Sequence, residues 1–65
     1  MPINIGDPVD YHGGKGVVCC IKDFSDLACV QFEDGDCQCV PREALQPIAN
    51  TTAVCTPDCA NKCNG

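Results

Sequence analysis

The stretch GGKGVVCCIKDFSDLACVQFEDGDCQCVPREALQPI, running from Gly13 to Ile48, decides the fold. It alternates short apolar runs with turn chemistry, in the order turn, strand, turn, strand, hairpin, strand, one helical turn, strand. Over residues 17–22, period two predicts Val17, Cys19 and Ile21 on the core face and Val18, Cys20 and Lys22 on the other, because the Lys22 ammonium belongs in water. Asp23-Phe24-Ser25-Asp26 supplies a turn with Asx chemistry. Residues 27–33 form the next expected strand, with Ala28, Val30 and Phe32 inward and Leu27, Cys29 and Gln31 outward. Asp34-Gly35 is a hairpin signal. In Cys37-Gln38-Cys39-Val40, an inward Val40 carries Gln38 with it and turns Cys37 and Cys39 out, unless a bulge near Gly35 swaps the faces. Pro41-Arg42-Glu43-Ala44-Leu45 fits one turn of 3₁₀-helix, with proline where its missing N–H is harmless. Gln46-Pro47-Ile48 then closes a small five-stranded barrel.

Upstream, Ile3 and Ile5 precede the turn Gly6-Asp7-Pro8, and Pro8 suits the start of an edge strand. Val9-Asp10-Tyr11-His12 alternates, with Val9 and Tyr11 on one face. Gly13-Gly14-Lys15-Gly16 is expected as a turn. It lacks the Lys-Ser/Thr pair and the following helix of a phosphate loop. Downstream the composition changes. Asn50-Thr51-Thr52 is linker-like, and Thr56 can cap a helix entered through Pro57 and Asp58 and ended at Asn64-Gly65. Cys55, Cys59 and Cys63 recur every four residues and would stack along one side of that helix. Seven helical residues do not hold alone, so something must fasten the tail. The division is therefore a barrel over residues 1–49 and a Cys-rich appendage over 50–65, all-β apart from the tail.

Sixty-five residues bury only about 60% of the unfolded surface, so the core is marginal and a staple is expected. Eight cysteines supply one. The net charge of −5, with only four scattered basic residues, argues against a nucleic-acid partner. No apolar run approaches the ~20 residues of a membrane span. Met1 to Asp7 has neither a basic segment nor an apolar core, so it does not read as a signal peptide, and a cytoplasmic location is expected. Reduced thiols there favour metal or redox chemistry over structural disulfides, an order that an oxidising compartment would reverse.

The segments Gly6-Asp7-x-Val9, Gly14-Lys15-Gly16-Val17-Val18, Val30-x-Phe32-x-Asp34-Gly35 and Val40-Pro41-x-Glu43-x-Leu45-x-Pro47-Ile48 resemble SH3-like barrels of the KOW, Tudor and small bacterial kinds. That resemblance covers residues 6–48 and implies a module binding peptides, nucleic acid or partner subunits through its loops. With three aromatics, Tyr11, Phe24 and Phe32, an aromatic cage is not expected. The plasmid-borne type II dihydrofolate reductases share the architecture. Cys37-Gln38-Cys39-Val40-Pro41 keeps that family's Gln and Pro but loses its Ile and Tyr, and its pore lysine has no counterpart near Asp10-Tyr11-His12. Such an enzyme would be a homotetramer. A folded leader with a Cys-rich tail is also similar to the precursors of ribosomally made peptides, whose cysteines a partner enzyme modifies.

The cysteine chemistry leads to a non-enzymatic binding module with a thiolate metal site. Cys20, Cys29 and Cys37 or Cys39 from adjacent strands, completed by Cys55 or Cys59, would give zinc its four ligands, with Cys63 stacked beside them. Cu(I) is the second choice, since it favours soft thiolates. Cys19 is expected as a small core hydrophobe. If the thiols oxidise, Cys20 with Cys29 and Cys29 with Cys39 are the cross-strand pairs, each cysteine serving once. His12 beside its glycines reads as solvated, and Glu33, Asp34 and Asp36 as a solvated hairpin tip without calcium-loop spacing. A Cys–His nucleophile would need Cys19 or Cys20 next to His12. The expected partner is another protein, and the oligomeric state is left open.

Overall fold

The structure, a computed structural model, describes residues 3–64. Its central strand is β2 (Gly14–Lys22), flanked by β1 (Pro8–Tyr11) and β3 (Leu27–Phe32), with β4 (Cys37–Pro41) and β5 (Gln46–Pro47) at the two edges. The order is β4-β3-β2-β1-β5, and every pairing is antiparallel. The sheet is open, since no ladder among the described residues joins β4 to β5. A 3₁₀ turn over Arg42–Ala44 carries the chain from one edge to the other, as its Pro-led sequence suggests. Arg42 is pinned there by its N–H, which donates to Asp26 O at 2.9 Å.

The β1–β2 turn lies one residue earlier than expected. Tyr11 opposes Gly14, so the loop is His12-Gly13, and Gly14, Lys15 and Gly16 belong to β2. Both loop residues have positive φ, 51° and 87°, the primed-turn geometry that matches strand twist. The Asp10 carboxylate accepts the Gly13 N–H at 3.1 Å and steadies it. Gly16 faces β3 so closely that a Cβ would stand 2.6 Å from Gln31 O and from Val30 Cγ1. Only glycine fits there.

Strand β2 corrects the expected faces. Val18 opposes Val30 and Cys20 opposes Cys29, so Cys19 is an extra residue, a β-bulge. The bulge resets the alternation within the strand. Val18 and Ile21 pack in the aliphatic core with Ile3, Val9, Ala28, Val30, Phe32, Val40 and Leu45. Val17, Cys19 and Cys20 go to the opposite face, so the expectation of Val17 and Cys19 in the core and Val18 outside is overturned. Strands β3 and β4 keep the expected faces: Ala28, Val30, Phe32 and Val40 lie inward, while Cys29, Cys37 and Cys39 belong to the opposite cluster.

That opposite face is not open to water. The tail crosses it, with α1 (Pro57–Ala60) continuing into a 3₁₀ turn over Asn61–Asn64. Thr56 caps α1, its hydroxyl accepting the Cys59 N–H at 3.3 Å, and Pro57 follows at the first position, as the sequence implies. The cap read at Asn64-Gly65 involves Gly65, outside the described residues. The result is a sheet with an aliphatic core on one side and a sulfur-rich core on the other.

Replacing Gly16 with Ala should force β2 and β3 apart and lower unfolding stability by about 1–3 kcal/mol. Chemical denaturation of the disulfide-intact protein checks this, and an unchanged midpoint would mean the strands are less close than described.

Candidate functional site

Two features could carry chemistry: the sulfur network under the tail and a cleft at the hairpin ends. The network has four bridges, Cys19–Cys55, Cys20–Cys63, Cys29–Cys39 and Cys37–Cys59. Three of them join the tail to β2 or β4. The fourth joins β3 to β4 between register partners, the cross-strand pair anticipated for Cys29 and Cys39. Cys20 and Cys29 also face each other in register but take other partners.

The bulge explains how the vicinal Cys19 and Cys20 both reach the tail. On a regular strand they would point to opposite faces. Here both lie on the sulfur face, one bonded to Cys55 near the start of the tail, the other to Cys63 near its end. Cys19 is therefore a cross-link, correcting its expected role as a lone core hydrophobe. Between these anchors Cys59, fully buried, is bonded to Cys37. The separations closed are 36, 43, 10 and 22 residues. In the chain-entropy model each is worth about 2.5–4 kcal/mol, less in combination because the loops overlap. Against the ~5 kcal/mol expected of so small a domain, these cross-links decide whether it folds.

The seven cysteines expected as metal ligands are thus brought to one face, as required, but as paired sulfurs. Cys20 and its bridge partner Cys63 stand beside Cys29 of a neighbouring bridge, the three sulfur atoms all within 4.8 Å of one another. A sulfur held in a disulfide carries no thiolate for a metal. The same bonding occupies Cys19 and Cys20, the thiols considered as nucleophiles beside His12. His12 itself lies at the β1–β2 turn, exposed, with its ring edge-on to Tyr11 at 4.3 Å.

Polar contacts complete the tail's attachment. The Thr56 hydroxyl donates to Gln31 Oε1 at 3.1 Å, and Gln31 Nε2 donates to Asp36 O at 3.2 Å. The buried Gln31 amide therefore links the tail to the β3–β4 hairpin, a role the sequence reading did not give it. Glu33 acts as a clasp on the linker. Its carboxylate accepts the Thr51 hydroxyl at 2.8 Å and the Thr52 N–H at 2.9 Å. These bonds, the Thr52 amide foremost, hold the Glu33 carboxyl below its ordinary value.

The cleft, about 530 Å³, opens between the β1–β2 and β3–β4 turns. Tyr11 and Phe32 supply aromatic surface, their rings 6.3 Å apart and tilted, and Glu33, Asp34 and Asp36 stand along its rim with Lys15. The sequence marked the acidic tip as merely solvated. What it missed is that strand register brings Tyr11 and Phe32, 21 positions apart, to the same end of the sheet. Phe24, counted with them as an aromatic, stands fully exposed and does not line the cleft.

Compared with protein-family models, curated proteins and solved structures, the chain matches none. Among the described residues no helix is long and apolar enough to cross a membrane.

Because Glu33 has a depressed pKa when folded, its contribution is present above the unfolded value near 4.5 and is lost as pH falls through the lower folded value. The Thr52 amide resonance should titrate with a midpoint below 4.5, and Glu33→Gln should abolish that titration. A midpoint at or above 4.5 would contradict the clasp.

Proposed function

We propose that this chain is a non-enzymatic binding domain, an opened SH3-like barrel cross-linked by four disulfides, whose cleft takes a cationic side chain from a protein partner. The observation that carries this reading is the cleft itself: aromatic walls from Tyr11 and Phe32 beside three carboxylates and one ammonium. A guanidinium or ammonium against an aromatic face gains about 0.5–2 kcal/mol, and the carboxylates add attraction without a buried counter-charge. A cleft of this size suits a single side chain with its flanking backbone. The strand order and the 3₁₀ turn between β4 and β5 support the barrel reading.

The bridges support the binding reading indirectly. They fix β3 to β4 and the tail to both β2 and β4, so the turns that frame the cleft stand on a rigid base. Preorganisation of that kind lowers the entropy lost on binding. The bridged form fits an oxidising compartment. The cytosolic expectation belongs with a reduced form. All three tail cysteines are bonded to strands, which favours this reading over a precursor with an accessible tail. The −5 charge again disfavours nucleic acid.

Titration of the oxidised protein with N-acetyl-argininamide, followed by NMR, should shift the resonances of Tyr11, Phe32, Asp34 and Asp36. Tyr11→Ala should weaken that binding roughly 2- to 30-fold. Shifts spread over the whole surface, or none at the hairpin ends, would refute the cleft as the binding site.

A further inference from the structure

We infer that Cys20, Cys29, Cys39 and Cys63 form a latent metal site, closed by two adjacent disulfides and opened by a dithiol reductant. In a tetrahedral zinc–thiolate site with bonds near 2.3 Å, neighbouring sulfurs lie about 3.8 Å apart. Cys63 Sγ is already 3.9 Å from Cys29 Sγ, although the two belong to different bridges. The sulfurs of Cys20, Cys29 and Cys63 all fall within 4.8 Å of one another. Cys39 lies outside that 4.8 Å group; bonded to Cys29 and facing it in register across β3 and β4, it supplies the fourth sulfur by turning inward once its bond to Cys29 opens.

Each of the bridges Cys20–Cys63 and Cys29–Cys39 accepts two electrons and two protons from one dithiol, which leaves as its own disulfide. Four thiols result. A divalent soft-to-borderline ion such as Zn²⁺ then displaces four protons and is held by four thiolates, giving a site with net charge −2. The surroundings suit the purpose. Cys20 and Cys29 are buried, Cys63 and Cys39 are half-buried, and three of the four stand on the adjacent strands β2, β3 and β4. Cys63 lies one helical turn from the fully buried Cys59, and both pack in the same sulfur cluster against the sheet. Metal in the reduced state would thus replace two covalent ties with one coordination centre and keep the tail on the sheet. The same chain would be disulfide-linked under oxidising conditions and metal-linked under reducing ones.

The test is an anaerobic titration of the full chain with Co²⁺ alone, before and after treatment with a dithiol that is then removed. The reduced protein should take up one equivalent with the visible absorption of tetrahedral cobalt–thiolate, and the oxidised protein none. Cys29→Ser should weaken cobalt binding by about a hundredfold. Because Cys29 is buried, Cys63→Ser at the half-buried end serves as the second ligand variant and should do the same. The double variant Cys19→Ser/Cys55→Ser, which leaves all four ligands in place, should change affinity by less than about threefold. No uptake by the reduced protein, equal uptake by the oxidised one, or a loss in the double variant as large as in Cys29→Ser would overturn the assignment.

Discussion

Among the described residues, the outer face of β2, β3 and β4 is covered by the tail after residue 50, and that tail has no core of its own. Everything else in the structure follows from solving these two problems together. A four-residue helix with a 3₁₀ continuation cannot persist in water by itself. A sheet face carrying Val17 and five cysteines cannot stay bare without inviting association. Docking one on the other buries Cys29 and Cys59 completely and places eight sulfurs where they can bond in pairs.

The bulge at Cys19 is the small irregularity that makes this docking work. It adds one residue to β2, and that residue turns two neighbouring cysteines toward the same side. Without it one of them would enter the aliphatic core and the tail would lose an anchor. Gly16, three residues earlier, lets β2 approach β3 closely enough to hold the register on which the sulfur positions depend. The hairpin ends carry the reverse character. They are exposed and acidic, and they are steadied from behind by Gln31 and Glu33, which connect them to the tail.

Much of this was legible in the sequence. The strands, the Pro-led 3₁₀ turn, the Thr56 cap and the inward faces of β3 and β4 all follow from local chemistry, and the structure keeps them. The faces of β2 did not, because period-two reasoning has no way to insert an extra residue. Yet the vicinal pair Cys19-Cys20 in an apolar run was a signal that regular alternation would fail. The clustering of cysteines on one face was readable from Cys29, Cys37 and Cys39. Which sulfur meets which was not, since pairing depends on where the tail lies, and eight cysteines allow about a hundred connectivities. The cleft was missed for a related reason: Tyr11, Phe32 and Asp36 become neighbours only through strand register.

The fold depends on the tail being fastened to the sheet by three of the four bridges. Stepwise partial reduction and alkylation of the native protein, with each linked peptide weighed by mass spectrometry, reads that directly. The predicted result is Cys19–Cys55, Cys20–Cys63, Cys29–Cys39 and Cys37–Cys59, with no thiol free to alkylate before reduction. Tail cysteines that alkylate freely, or that are bonded only to one another, would contradict it.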